Sequence, residues 1–224
     1  YAYLFSPEQL GSRFSPEHAQ RIRKTYLAQK EEEAYRDIPG FIESHETLEE
    51  ALYEISEQYQ SKHGLEKEFL RLKGNTFTYI SEFPANDRES VLEAVSKDNR
   101  EGNFFYEFYK SKVLPHIKGQ GYDVVALSVY LPDQVVPTIL LASMLKEQNP
   151  DTKVVLGGNY LTRFRDVLSR DDELNRRLFD YVDAIVVNEG EVPFRNVLEA
   201  IAKDNDFGTI NQVIYRRENG GITL

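Results

Sequence analysis

From Gly121 onward the sequence repeats one theme three times: an apolar run of strand-forming residues, then a stretch of helical composition. Residues 123–130 (DVVALSVY) precede 134–148, residues 153–156 (KVVL) precede 162 to about 179, and residues 183–187 (DAIVV) precede 191–203. Strands alternating with helices of this length read as βαβ units, which build a parallel sheet. The runs are apolar nearly throughout rather than alternating, so both sheet faces are expected to be covered. The expected fold is α/β, a doubly wound parallel sheet of the flavodoxin or Rossmann kind over about 121–206. A terminal hairpin is expected from 212–216 and 221–224 around Asn219-Gly220-Gly221. The second helix is expected to break near Asp171-Asp172.

Residues 1–103 read differently, as a mainly helical extension that could lend strands to the sheet, ahead of an α/β domain at 104–224. Ser15-Pro16-Glu17 supplies a cap, a proline at the first helical position and an acid in the first turn, predicting a helix from 16 to about 35. Ile38-Pro39-Gly40 reads as a break. Thr47 followed by Glu50 has capping-box spacing and predicts a helix from 48 to 60, stopped at Lys62-His63-Gly64. Residues 65–72 are expected as a short helix and 75–80 (NTFTYI) as a strand. Helices are expected at 87–95 and 104–117. The second of these carries Phe104, Phe105, Phe108 and Tyr109, a cluster that suits a core face or an interface better than a cofactor box.

Composition narrows the function. The 224 residues carry a formal net charge of −10, which argues against nucleic-acid binding, since tracking phosphates needs clustered Lys and Arg. No run approaches the roughly 20 apolar residues of a membrane span. There are no cysteines, so disulfides, thiolate nucleophiles and cysteine-held clusters are excluded within these residues, and a cytosolic setting fits. The four histidines, His18, His45, His63 and His116, have no zinc-site spacing.

Ligands of open α/β sheets bind outside the carboxyl ends of the strands. Three such ends stand out: Ser128-Val129-Tyr130-Leu131-Pro132, Gly157-Gly158-Asn159-Tyr160 and Asn188-Glu189-Gly190-Glu191. The paired glycines have two readings. They serve a tight turn, or they let a ligand come close to the backbone. Glu189 and Glu191 could form an acid/base or metal pair, or Glu191 could simply favour the first turn of the next helix. Dinucleotide (G-x-G-x-x-G), phosphate-loop and G-x-S-x-G motifs are absent.

Together and in this order the three ends carry a resemblance. The stretch YDVVALSVYLPDQVVPTILLASMLKEQNPDTKVVLGGNY, followed by FDYVDAIVVNEGEVPFRNVLEAI and QVIYRRENGGI, resembles the cobalamin-binding domain at the N-terminus of many radical S-adenosylmethionine enzymes. It covers about residues 104–222. Asn188 stands where that family usually has glycine. The resemblance implies a flavodoxin-like domain holding cobalamin across the strand ends. Ser128 and Tyr130 would give polar contacts, Gln134 would open the next helix near the corrin, and the nucleotide tail would run beside Gly157 and Gly158. Leu131, Asn159, Glu189, Gly190 and Glu191 complete the implied cofactor-binding set. The D-x-H-x-x-G motif that supplies a cobalt-binding histidine in other cobalamin domains is absent.

The resemblance further implies a partner, the catalytic barrel of the same polypeptide, beyond Leu224. That barrel would hold S-adenosylmethionine and a four-iron cluster on C-x-x-x-C-x-x-C. The sequence beginning at Tyr1 is then expected to be an excised, non-catalytic domain of a methyl-transferring or radical-generating enzyme, its first strand either preceding Tyr1 or lying in residues 1–5. An alternative is a cofactor-free domain of the same fold that docks a substrate or partner. A signalling receiver is a third reading, but Asp133 lacks the partner acids and lysine such a domain needs.

Overall fold

The computed structural model describes residues 1–64, 70–71, 78–79, 83, 85, 87–96, 98–168, 170, 172–217 and 220–223. The chain divides into two compact units, 1–82 and 83–224.

In the first unit, α1 (Pro7–Gly11) and α2 (Pro16–Ala28) both begin with a serine cap followed by proline, as expected for α2. The expected helix to 35 ends at Ala28, and Glu32–Tyr35 form a separate 3-10 turn. α3 (Ile38–His63) corrects the expected break. Asp37 caps it, accepting the Gly40 N–H at 3.2 Å, and Pro39 sits in the first turn, where its missing N–H costs nothing. Thr47 starts no helix; its hydroxyl donates to the Glu43 carbonyl at 3.1 Å, one turn back. Gly64, at φ 67°, closes the helix as expected. Phe5, Leu10, Ile22, Leu52 and Ile55 are the large buried residues of this unit. Residues 1–5 make a turn, with the Phe5 N–H on the Tyr1 carbonyl at 2.9 Å, and no strand. β1 (Leu70–Arg71) pairs antiparallel with β2 (Thr78–Tyr79). Leu70 and Arg71 are thus not helical, and the rest of the expected helix and strand here lies outside the described residues.

The second unit opens with α4 (Arg88–Ala94), capped by Asp87. Its Val91, Ala94 and Val95 join the same core as the sheet, which is why the division falls at 82/83 and not at the expected 103/104. α5 (Tyr106–Phe108) runs through a π turn (Tyr109–Val113) into α6 (Leu114–Gln120). Of its aromatics, Tyr106 is the buried one; Phe104, Phe105, Phe108 and Tyr109 are half-buried.

The sheet follows the expected order: β3 (Val124–Ser128), α7 (Val135–Gln148), β4 (Lys153–Gly157), then α8 (Asn159–Arg163), α9 (Arg165–Leu168) and α10 (Asp172–Leu178). β5 (Ala184–Val186), α11 (Glu191–Ala202), β6 (Val213–Arg216) and β7 (Ile222–Thr223) complete it. β3, β4 and β5 are parallel neighbours, and β6 and β7 add antiparallel. This is a mixed α/β fold with an open, Rossmann-like sheet. Among the described residues the strand order does not reverse, so the doubly wound pattern is incomplete. Successive βαβ crossovers in the same direction, right-handed by the general rule, place their helices on one face. Accordingly, α7 and α8–α10 meet across Leu156, and α11 begins on the other side. α7 is buried nearly all round. The expectation that both faces are covered fails at β3, where Ala126 and Ser128 are exposed.

Candidate functional site

The carboxyl ends of β3, β4 and β5 form a groove of about 600 Å3. Strand register builds its floor. Ala126 lies beside Val155, and two residues on, Ser128 lies beside Gly157. Side chains alternate between faces along a strand, so these residues share one face. Val186 from β5, Asn159 and Thr162 from α8, and the 188–191 loop with Phe194 enclose the sides. The floor is mainly apolar and the rim polar, with two carboxylates, Glu189 and Glu191, and, among the described residues, no basic side chain lining it.

The two glycines do different work. A Cβ on Gly158 would stand 2.4 Å from the Val129 carbonyl oxygen, and its φ of 108° is one that side chains rarely adopt. Gly158 is therefore needed for the crossing of two backbone segments. A Cβ on Gly157 would meet nothing nearer than the Val186 carbonyl oxygen at 3.6 Å. Its missing side chain leaves the groove floor open.

A hydrogen-bond chain ties the loops after β4 and β5. Thr162 Oγ1 donates to the Gly158 carbonyl at 3.2 Å and accepts the Asn188 N–H at 2.8 Å. Asn188 Oδ1 accepts from Arg165 Nη1 at 3.0 Å. Asn188 has φ 63°, a left-handed conformation that asparagine tolerates better than most residues. Asparagine therefore suits this position.

Of the expected cofactor-binding residues, Ser128, Gly157, Gly158, Asn159, Glu189, Gly190 and Glu191 come together in the groove. Tyr130, Leu131 and Gln134 do not line it. Tyr130 and Leu131 are exposed, and both their backbone N–H groups donate to Gln134 Oε1, at 2.6 and 3.1 Å. Gln134 thus organises its own loop. Ala126, Val155, Thr162, Val186 and Phe194 were not anticipated. The period-2 face shared with Gly157 could have indicated Ala126 and Val155.

Among the described residues, no cluster of three or more His, Asp or Glu side chains could hold a metal ion, and no helix is long and apolar enough to cross a membrane. Comparison with protein-family models, with curated proteins and with solved structures finds no match to this chain.

Proposed function

We propose that the unit at 83–224 is a corrinoid-holding accessory domain, of the cobalamin-binding type, working beside the catalytic barrel of a radical S-adenosylmethionine enzyme. The observation that carries this reading is the convergence of three sequence-distant segments, at Ser128, at Gly157 to Asn159 and at Glu189 to Glu191, on one apolar-floored groove. It lies where open α/β sheets take their ligands. The strand order agrees. In a flavodoxin-like sheet of order 2-1-3-4-5, the last three strands run consecutively, as β3, β4 and β5 do.

The residues present fit a corrinoid in two respects. The position a Gly157 Cβ would fill is open, so a flat ligand can lie against β4. The apolar floor with Ser128 and Asn159 at its rim suits a macrocycle edged with amides. Bound corrinoid would supply carriage of a methyl group to the larger protein. This chain's part is to hold and orient it and to exclude water from its buried side. Among the described residues, no histidine lines the groove.

Gel filtration of the chain after incubation with hydroxocobalamin tests the reading. The protein peak is expected to retain corrinoid with the visible spectrum of a form whose lower base has left the cobalt. A colourless protein peak would favour the cofactor-free docking domain instead.

A further inference from the structure

We propose that the partly open, mainly apolar cavity on the other face of β4 binds a small, neutral, largely apolar molecule with one hydrogen-bonding atom, which meets the Tyr160 hydroxyl. The cavity measures about 360 Å3 and is separate from the groove. Its wall includes Val129, Val135, Ile139, Leu156, Leu161 and Leu178, all buried. Protein interiors pack to the density of organic crystals, with few voids larger than a water molecule. The cavity is partly open to solvent, with Val167 and Phe164 exposed in its wall, and its apolar lining has room for the dispersion contacts a ligand would supply. Volume and lining are those of a small-molecule site.

Polarity decides the ligand class. Tyr160 is the polar side chain set into the apolar wall, and burial pushes its phenol above the ordinary range. It therefore stays protonated through neutral pH, able to donate or accept. Its ring is fixed by packing on Phe164, centroids 4.8 Å apart, and its backbone N–H donates to the Val129 carbonyl at 3.1 Å. Two charged residues reach the cavity, Asp87 and Arg88, and each is engaged in the first turn of α4. Asp87 accepts the Ser90 N–H at 2.9 Å, and Arg88 pairs with Glu89 at 3.3 Å. They cancel in sign, so the cavity selects neither an acid nor an amine.

Benzophenone and diphenylmethane test this, because they share a shape and differ by one carbonyl oxygen. Titrated into the full chain, both are expected to shift the methyl resonances of Val129, Leu156 and Leu161 saturably, with one molecule bound. Tyr160→Phe should weaken benzophenone about 3- to 10-fold, the worth of one net hydrogen bond, and leave diphenylmethane unchanged. Val135→Phe, which fills the cavity, should abolish both. The proposal is overturned if neither ligand gives saturable shifts in the wild-type chain, or if the shifts fall on Val155 and Val186 of the groove. Equal loss of both ligands in a folded Tyr160→Phe variant would remove the assigned role of the hydroxyl. The wild-type titration decides the main point even if Val135→Phe does not fold.

Discussion

Asn188 donates its backbone N–H to the Thr162 hydroxyl at 2.8 Å while standing at φ 63°. That one contact joins the loop after β5 to the helix after β4 and shapes one side of the groove. A β-branched residue cannot adopt this conformation cheaply. Asn188→Val should cost about 1–2 kcal/mol in chemical denaturation, whereas Asn188→Gly should be close to neutral. Thr162→Val should lose about 1 kcal/mol with the acceptor gone, and Thr162→Ser should retain it.

Gly158 and Gly157 should separate cleanly. Gly158→Ala places a Cβ against the Val129 backbone at a positive φ and should destabilise by roughly 1–3 kcal/mol or more. Gly157→Ala meets only ordinary contacts and should leave the urea midpoint nearly unchanged.

At the opposite end of the sheet, Asp183 accepts the Val154 N–H at 2.7 Å and the Lys146 ammonium at 2.7 Å, with Lys153 at 3.6 Å. Asp183 and Lys146 are mostly buried, so removing the carboxylate strands the Val154 N–H and leaves the Lys146 ammonium only its carbonyl partners, Thr152 at 2.9 Å and Pro150 at 3.4 Å. Asp183→Ala should cost about 1.5–3 kcal/mol. Lys146→Met should cost less, because Asp183 keeps its other two partners. Denaturation midpoints of the two variants give the comparison.

Asp87 caps α4, and hydrogen bonds from the Ser90 hydroxyl and N–H hold its carboxyl below the ordinary value of 3.8. A folded-state pKa below the unfolded one means stability present above the unfolded value and lost as pH falls through the folded value. Ser90→Ala should raise the Asp87 pKa toward the ordinary value, read from its side-chain carbon shift in an NMR titration. The acid-side loss of stability should become shallower.

Much of the fold was legible because local signals agreed with tertiary packing. The serine cap of α2, the glycine stop of α3 and the three apolar runs of the sheet all fall where their chemistry predicted. The start of α3 was misread because Pro39 acts as a breaker inside a helix but as a starter in its first turn, and only the Asp37 cap decides which. The site was legible as three strand ends but not in detail. In sequence Gly157 and Gly158 look alike; the crossing of Val129 over one of them separates their roles. Gln134 carried a plausible ligand-facing amide, yet the adjacent N–H groups of Tyr130 and Leu131 take its oxygen. The unit boundary was missed because the residues of α4 that enter the core of the sheet lie far from it in sequence.

Corrinoid binding in the groove over Gly157, as proposed above, is tested most directly by equilibrium dialysis against hydroxocobalamin, comparing wild type with Gly157→Leu. The leucine Cβ would meet only ordinary contacts, and the rest of the side chain would extend over the groove floor. Saturable binding of one corrinoid by the wild-type chain is expected, and its loss in a Gly157→Leu variant that keeps its far-ultraviolet spectrum and melting temperature. Absence of binding to the wild type, or equal binding by both proteins, would contradict it.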